Sequence, residues 1–376
     1  MHKGYSFAIL WAGQVDQRLT GGAGAWTVLA VTFGDLIFRV RQFVIAIIGV
    51  TLVLALALLS SGLVSGFGTE VSETVGGFGA NTWLLSKGAG GRITSFAAFP
   101  ERDVRDIAGQ SDVHDVSPVL MIPSQVAQVG NEQTNVNLVG VALHKLGDPS
   151  AVTGHSLNGP NQVVVDNRLS VAIGSTIVMN GRDLHVVGTV GDRSLLGGTP
   201  MIYTTLQSAQ AIVIHGQPLI TAVVARGTPT VVPAGFSKYT PAQVSAMTLS
   251  QMKEAVSSIV NLRLLMWILA AIIVGAFLYV AALERQQDFA VLKALGASSL
   301  ALYGSLLLEA IIVTLTATVL AELIANVLTP VLFSQPVDIR IGAYVSLPII
   351  AIVVGAIASL TALRRVVSAD PAAAFG

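Results

Sequence analysis

The sequence has no cysteine and little charge. Of its 376 residues, 11% are Asp, Glu, Lys or Arg, 53% are hydrophobic, and the formal net charge is zero. The absence of cysteine excludes disulfides, thiol nucleophiles and thiolate metal sites. Because charged residues make up about a quarter of a typical soluble domain, this composition predicts a membrane protein.

Nucleotide binding by this chain is also disfavoured. None of the six lysines follows a glycine, so the Gly-x-x-x-x-Gly-Lys-Ser/Thr loop that holds ATP phosphates is missing. The sequence has no basic block and no net positive charge, which removes the electrostatic basis for nucleic-acid binding. We therefore expect neither a P-loop nor a nucleic-acid partner.

The histidines form no recognisable metal motif. All six are scattered, without a His-Glu-x-x-His pair. His144, His155 and Asp148 are close enough in sequence to be considered as a metal site, but loop histidines are usually solvated, so no metal is predicted. The glycine-rich stretch from Gly188 to Gly198 is more typical of a hairpin or flap than of a phosphate-binding loop.

Four long apolar runs predict four transmembrane helices. The first, residues 43–64, has no charged residue and is long enough to cross a hydrocarbon core of ~30 Å. The other three predicted spans are 262–283, 300–328 and 344–363, of which 300–328 is long enough to be tilted or to project from the bilayer. The predicted fold class is an α-helical polytopic membrane protein with a one-plus-three arrangement of spans.

The distribution of lysine and arginine predicts the orientation of these helices. Three segments totalling 71 residues hold eight of them: 1–42, 284–299 and 364–376. The opposite loop, 329–343, holds only Arg340. By the positive-inside rule both termini and the segment 284–299 are cytoplasmic, in a bacterial plasma membrane.

The first 42 residues divide into two parts. Residues 1–24 are compatible with a membrane-lying cytoplasmic tail or with a disordered one, and the polar residues after Gly13 disfavour a signal peptide. From Trp26 to Phe43 the pattern is amphipathic, which predicts an interfacial helix leading into the first span.

Residues 65–258 predict an extracytoplasmic α/β (α+β) domain inserted between the first two spans. Strand-like runs separated by turn residues recur through this region: Thr82–Ser86, Val116–Ile122, Asn135–Val141, Gln162–Asp166, Ser175–Met179, Leu184–Val190, Met201–Thr204 and Ile220–Ala225. Asn180-Gly181 predicts a hairpin turn. Pro100 predicts the start of a helix through Ile107, and residues 247–262 a helical stalk into the second span.

Small and polar residues within the spans are the candidate packing and substrate positions. Gly62 and Gly66 have small-xxx-small spacing, which favours close approach of another helix but is equally compatible with a loosened helix end. Glu309 fits either a structural hydrogen bond or a functional role, because a carboxylate in hydrocarbon is costly. Glu322 fits simple interfacial exposure or, with Asn326 one turn further, a substrate groove at the outer leaflet.

The polar stretch Leu283 to Ser299, LERQQDFAVLKALGASS, is the most specific motif in the chain. It separates two long apolar runs and is too short to be a domain. A helical turn or two ended by Gly296 is predicted. Its apolar side chains spread over a broad arc, which suits a helix held by another protein.

This stretch resembles the coupling elbow of FtsX-like/MacB-like ABC transporter permeases, which reads Arg-x-x-Glu followed by an apolar run and Leu-Gly-Ala. The matching positions are Arg285, Phe289, Ala290, Val291, Leu292, Lys293, Ala294, Leu295, Gly296 and Ala297, with Asp288 replacing the usual acid. The tail from Ala369 to Ala374 is similar to the family's closing motif. The compact inserted domain is most similar to the short DevC-like or haem-exporter-like branch.

The resemblance implies a permease subunit that is not itself an enzyme. It implies that two copies of a separate ABC ATPase bind ATP and Mg²⁺, so this chain holds no cofactor. The implied ATPase-coupling residues are Arg285, Asp288, Phe289, Leu292, Lys293, Leu295 and Gly296. Since four helices are too few to enclose a path, a homodimer in the lipid bilayer is expected, packed near Gly62 and Gly66.

Two functions are consistent with this resemblance. The favoured one is mechanotransmission that exports or extracts an amphiphile (haem-like, lipid, peptide or drug) at the outer leaflet. The alternative is a mechanotransmitter without a transported molecule, whose extracytoplasmic domain activates a cell-wall hydrolase as a partner protein. A receptor that works without an ATPase is the third hypothesis.

Overall fold

This computed structural model describes residues 40–191, 193–195, 197–284, 299–332 and 337–367. The described chain forms two compact units. We call residues 40–62, 259–332 and 339–367 the helical unit, and residues 63–258 with 337–338 the sheet domain.

The long helices are apolar along most of their length. The described helices are α1 (Val40–Gly76), α2 (Val104–Ala108), α3 (Leu206–Val213), α4 (Pro241–Leu249), α5 (Lys253–Glu284), α6 (Ser299–Leu332) and α7 (Ile341–Val367). Within the described part of the chain, three stretches are long and apolar enough to cross a membrane: Val40–Gly76, Pro241–Glu284 and Gly304–Thr329. The apolar stretch of α7, Ile341–Ile357, is shorter. The apolar helical part of the fold is thus confirmed, and the fourth span stays a prediction.

Within the helical unit, α1 and the C-terminal two-thirds of α5 run antiparallel. The rings of Phe43 and Phe277 pack edge to face with centroids 4.9 Å apart. Near the same end, the Gln42 amide donates to both carboxylate oxygens of Glu284 at 3.2 and 3.1 Å. This pairing brings the start of α1 beside the end of α5.

The sheet domain is built on one mixed sheet. Its strands are β1 (Thr82–Ser86), β2 (Phe99–Pro100), β3 (Val113–Val129), β4 (Glu132–Val141), β5 (Thr153–Gly154), β6 (Gln162–Asp166), β7 (Thr176–Met179), β8 (Arg182–Val190), β9 (Ser194–Leu195), β10 (Thr199–Thr205), β11 (Leu219–Ile220), β12 (Ala222–Gly227) and β13 (Phe236–Tyr239). The main order is β13-β1-β12-β3-β4-β10-β6-β8-β5, with β7 on β3 and β8 and β9 on β10; β2 and β11 pair separately. Strand pairs β4–β10 and β6–β8 are parallel.

Most of the predicted strands coincide with observed ones, and β1 and β6 have the predicted bounds. Both residues of the Asn180-Gly181 turn have positive φ, 47° and 74°, as a type I′ hairpin requires. The largest difference is β3, which continues from Ile122 to Val129. Pro123-Ser124 resembles a turn in sequence, but Ser124 takes a φ of 54° and the pairing with β4 resumes after a register shift.

Both faces of the sheet are buried, because alternate strand residues enter different cores. Trp83 and Leu85 join a core with Val71 and Val75 of α1 and Val244 of α4. Leu84 joins the opposite core, with residues of α2 and α3. The C-terminal turns of α1 therefore pack directly on the sheet.

Candidate functional site

The C-terminal turns of α1 are joined to the sheet domain by polar as well as apolar contacts. Glu70 and Thr74 are one helical turn apart, so their side chains lie on the same face of α1. They are only 3% and 0% exposed. We call the contact of these two residues with Ser194, Gly197 and Gly198 the α1 joint.

The Glu70 carboxylate is the centre of the α1 joint. Its Oε1 accepts a hydrogen bond from the Gly198 N–H at 2.7 Å, and its Oε2 accepts one from the Gly197 N–H at 3.2 Å. Both glycines have positive φ, 85° and 89°, which turns two successive N–H groups toward one anion. The segment between β8 and β10 is thus bound to α1 through its backbone.

Two further hydrogen bonds hold the same segment against α1. The Thr74 hydroxyl donates to the Ser194 carbonyl at 2.8 Å. At the residue before Thr74, the Arg193 guanidinium donates to the Glu73 carbonyl. A cation at this position also interacts favourably with the C-terminal carbonyls of a helix.

A buried aspartate fixes the joint to the end of β6. Asp166 is fully buried, and its two oxygens accept from the backbone N–H groups of Arg168 at 2.8 Å and Arg193 at 2.7 Å. The Arg168 guanidinium in turn donates to the Ser194 hydroxyl. Helix, loop and sheet are therefore connected through one network of charge-assisted bonds, which are stronger than neutral ones.

Burial raises the pKa of the Glu70 carboxyl above its usual 4.5. Hydrogen bonds from Ser194, Gly198 and Gly197 and the charge of Arg168 oppose this shift in pKa. The direction follows because removal from water penalises the charged form more than these partners stabilise it. Glu70 lies beyond the predicted span 43–64, in the sheet domain.

The raised pKa predicts a pH dependence of the sheet domain's stability. Between 4.5 and the folded-state pKa, the folded state binds more protons at Glu70 than the unfolded state does, so the free energy of unfolding falls as pH rises through this window. Glu70→Gln should abolish this slope. We expect urea unfolding of the full chain in detergent, at several pH values from 4 upward, to show a free energy of unfolding that falls with pH more steeply in the wild type and in Glu73→Gln than in Glu70→Gln. Equal slopes in all three proteins would contradict it.

Of the three polar residues predicted for a substrate groove on α6, Glu309 lies far from Glu322 and Asn326. Glu309 is fully buried, and the Ser305 hydroxyl one turn earlier donates to its Oε1 at 3.4 Å. Glu322 is half-buried, whereas Asn326 is exposed and accepts from the Tyr344 hydroxyl of α7 at 2.7 Å. Glu309 and Glu322 are separated by about 20 Å along the helix, so the structure does not unite all three in one site.

The remaining predicted site residues are the glycines of α1, the ATPase-coupling residues and the histidines considered as metal ligands. Gly62 and Gly66 are buried in α1. The predicted ATPase-coupling residues, 285–296, lie outside the described residues.

The residues considered as a metal site make other contacts. Asp148 accepts from the backbone N–H of His144 at 2.8 Å, and the His155 Nδ1 lies 3.0 Å from the Ser156 carbonyl oxygen. Among the described residues, no group of three His, Asp or Glu side chains could hold a metal.

Sequence reasoning missed Glu70 and treated the glycine-rich stretch only as a hairpin or flap. The available signal was a threonine and two carboxylates at helical spacing, Glu70, Glu73 and Thr74, just beyond an uncharged span. That spacing predicts a shared face, but it does not identify the loop that binds to it.

Apolar helices carrying an inserted sheet domain define a membrane protein, and comparison with known proteins gives its family. Residues 43–238 match the MacB-like periplasmic core domain, and residues 262–371 match the FtsX-like permease C-terminal region. The chain is 35% identical to an uncharacterized ABC transporter permease of Mycobacterium tuberculosis over 342 residues, which cover 91% of this chain and 97% of that protein. The chain therefore belongs to the family of ABC transporter permeases with MacB-like and FtsX-like domains.

More distant relatives include proteins with named transport functions. The chain is 20% identical over 348 residues to the putative hemin transport system permease protein HrtB of Staphylococcus epidermidis, covering 89% of this chain and 95% of that one. It is 29% identical over 188 residues to the macrolide export ATP-binding/permease protein MacB of Aggregatibacter actinomycetemcomitans. This match covers 45% of this chain and 28% of MacB. A solved structure of the periplasmic region of MacB from Actinobacillus actinomycetemcomitans has a TM-score of 0.33 at 19% identity, covering 49% of this chain and 97% of that one.

Proposed function

We propose that this chain is the membrane subunit of an ABC exporter that uses ATP hydrolysis by a separate subunit to move an amphiphile at the outer leaflet. In this proposal the chain has four spans, including α7, and both termini and residues 284–299 are cytoplasmic. Two copies pair with two ATPase subunits, which hold the ATP and Mg²⁺. The permease itself carries out no chemical step.

The observation that carries this proposal is the course of α1. This helix runs without a break from Val40 to Gly76, about 55 Å at 1.5 Å per residue. Its C-terminal turns are bound to the sheet domain through the α1 joint, with Glu70 at its centre. Because α1 is one continuous helix, we expect a displacement of the predicted span to be transmitted along it to the sheet.

The names of two relatives favour transport of a molecule over control of a cell-wall enzyme, and a contact at the proposed cytoplasmic ends of α1 and α5 supports coupling to an ATPase in either case. Two relatives are named for hemin transport and macrolide export, and both of those substrates combine a large apolar body with polar groups. The bond between Gln42 and Glu284 brings the proposed cytoplasmic ends of α1 and α5 together, so ATPase movement at 284–299 would act on both helices.

The proposal is tested by purifying the chain with the ABC ATPase encoded nearest to it and measuring ATP turnover in lipid nanodiscs. We expect a complex of two permeases and two ATPases, with turnover that rises when an amphiphilic substrate is added. A permease that leaves the ATPase unbound and its turnover unchanged would contradict the proposal.

A further inference from the structure

The helical unit contains a cavity of about 190 Å³ between α1, α5 and α7. Its polar lining includes Ser61 of α1, Arg263 of α5 and Ser346 of α7. Trp267, Leu58 and Leu347 contribute aromatic and apolar surface. Nothing in the proposed coupling mechanism uses these residues.

Arg263 gives this cavity a positive charge. Its guanidinium donates to the Ser61 hydroxyl at 3.0 Å. Among the described residues, no carboxylate lies within 4.0 Å of it. A guanidinium has five N–H donors in a planar fork, so the one bond to Ser61 leaves most of its donor capacity for another acceptor.

The cavity lies where the headgroup of an amphiphile would be found. Ser61 is near the end of the predicted span 43–64, and Arg263 and Ser346 are near the starts of the predicted spans 262–283 and 344–363. In the proposed topology all three positions are at the outer boundary of the hydrocarbon. An arginine at the boundary of the hydrocarbon is expected to face a partner or a water-filled cavity.

We propose that this cavity binds the oxyanion group, phosphate or carboxylate, of an amphiphile whose apolar part lies against Trp267, Leu58 and Leu347. The guanidinium fork matches the geometry of a carboxylate or phosphate and binds it through two parallel hydrogen bonds. This inference rests on the proposed function for the topology that places the cavity at the outer boundary and for treating the bound amphiphile as the transported molecule.

The size of the cavity limits what it can hold. Sites that enclose a whole drug-sized ligand measure about 300–1,000 Å³, larger than the 190 Å³ available here. The cavity therefore takes a headgroup and the beginning of a chain, and the rest of the molecule stays in the bilayer. A cationic headgroup would be repelled by Arg263, and a neutral one would leave its charge unpaired.

The test measures binding to the full chain alone, in dodecyl maltoside, by the fluorescence of Trp267. The probes are dodecyl phosphate, dodecyltrimethylammonium and inorganic phosphate, and Trp267→Phe identifies the signal from the cavity. We expect dodecyl phosphate to bind at least tenfold more tightly than dodecyltrimethylammonium. Arg263→Gln should weaken dodecyl phosphate binding by about 10- to 100-fold, because it removes charge-assisted hydrogen bonds.

Matched variants separate loss of the charge from loss of the fold. Arg263→Lys keeps the charge and should retain part of the affinity. Lys253→Gln removes an exposed charge from the same helix and should leave binding unchanged. Equal affinity for the anionic and cationic amphiphiles, or unchanged binding in Arg263→Gln, would overturn the inference. Competition by inorganic phosphate at the same concentrations would also overturn it, since a free anion would then be the ligand.

This result is independent of the ATPase experiment. Anion-selective binding to a chain that forms no ATPase complex would refute the proposed function but leave the headgroup site standing. A functional ATPase complex without anion-selective binding would refute the headgroup site alone.

Discussion

Replacing Glu70 with alanine is expected to lower the amount of amphiphile released per ATP hydrolysed by at least tenfold, while ATP turnover continues. The variant removes both hydrogen bonds that the carboxylate accepts from Gly197 and Gly198. Bonds to charged groups contribute about 1.5–3 kcal/mol each, toward the lower end here because the two glycines are half-buried. Movement of α1 would then no longer be transmitted fully to the sheet.

Glu73→Ala is the matched control for this experiment. Glu73 is on the same helix and carries the same charge, but its side chain is exposed, and it is its backbone carbonyl that accepts from Arg193. We expect wild-type coupling in Glu73→Ala, measured as release and ATP turnover in the same proteoliposomes. Wild-type coupling in Glu70→Ala would show that the α1 joint does not transmit the movement.

Leu292→Arg is expected to abolish binding of the ATPase subunit. Leu292 lies in the segment that resembles the family's coupling elbow, where an apolar side chain would be covered by the partner. Burying an unpaired charge at such a contact costs several kcal/mol, and 3 kcal/mol corresponds to more than 100-fold in affinity. The measurement is co-purification of the two subunits, followed by titration of the complex.

Leu292→Met serves as the control because it nearly conserves volume and apolar character. Such exchanges usually cost less than about 1.5 kcal/mol, so most of the complex should survive. If Leu292→Arg bound the ATPase as tightly as Leu292→Met, the assignment of residues 284–299 as the coupling elbow would be wrong.

Local patterns in the sequence were sufficient for most of the secondary structure. β1 and β6 are bounded by turn residues and enriched in apolar residues, so their limits could be predicted. Asn180-Gly181 specifies its own turn, because few other pairs adopt positive φ at both positions. The α4 helix begins at a capping box formed by Thr240 and Gln243, a signal that was present but not used.

The sequence was less informative wherever a contact joins distant segments. Glu70 binds residues more than 120 positions away, and no local pattern specifies that pairing. The same holds for Arg263 and Ser61. The sequence analysis did not predict a role for Arg263, because its cavity exists only after α1, α5 and α7 pack together.

The most direct test of this account is ATP-driven release of dodecyl phosphate from proteoliposomes that contain the chain with its ATPase. We expect release that requires both subunits and ATP and that stops in Leu292→Arg. Release at the same rate without ATP, or with Leu292→Arg in place of the wild type, would contradict the assignment of this chain as an ATPase-coupled exporter.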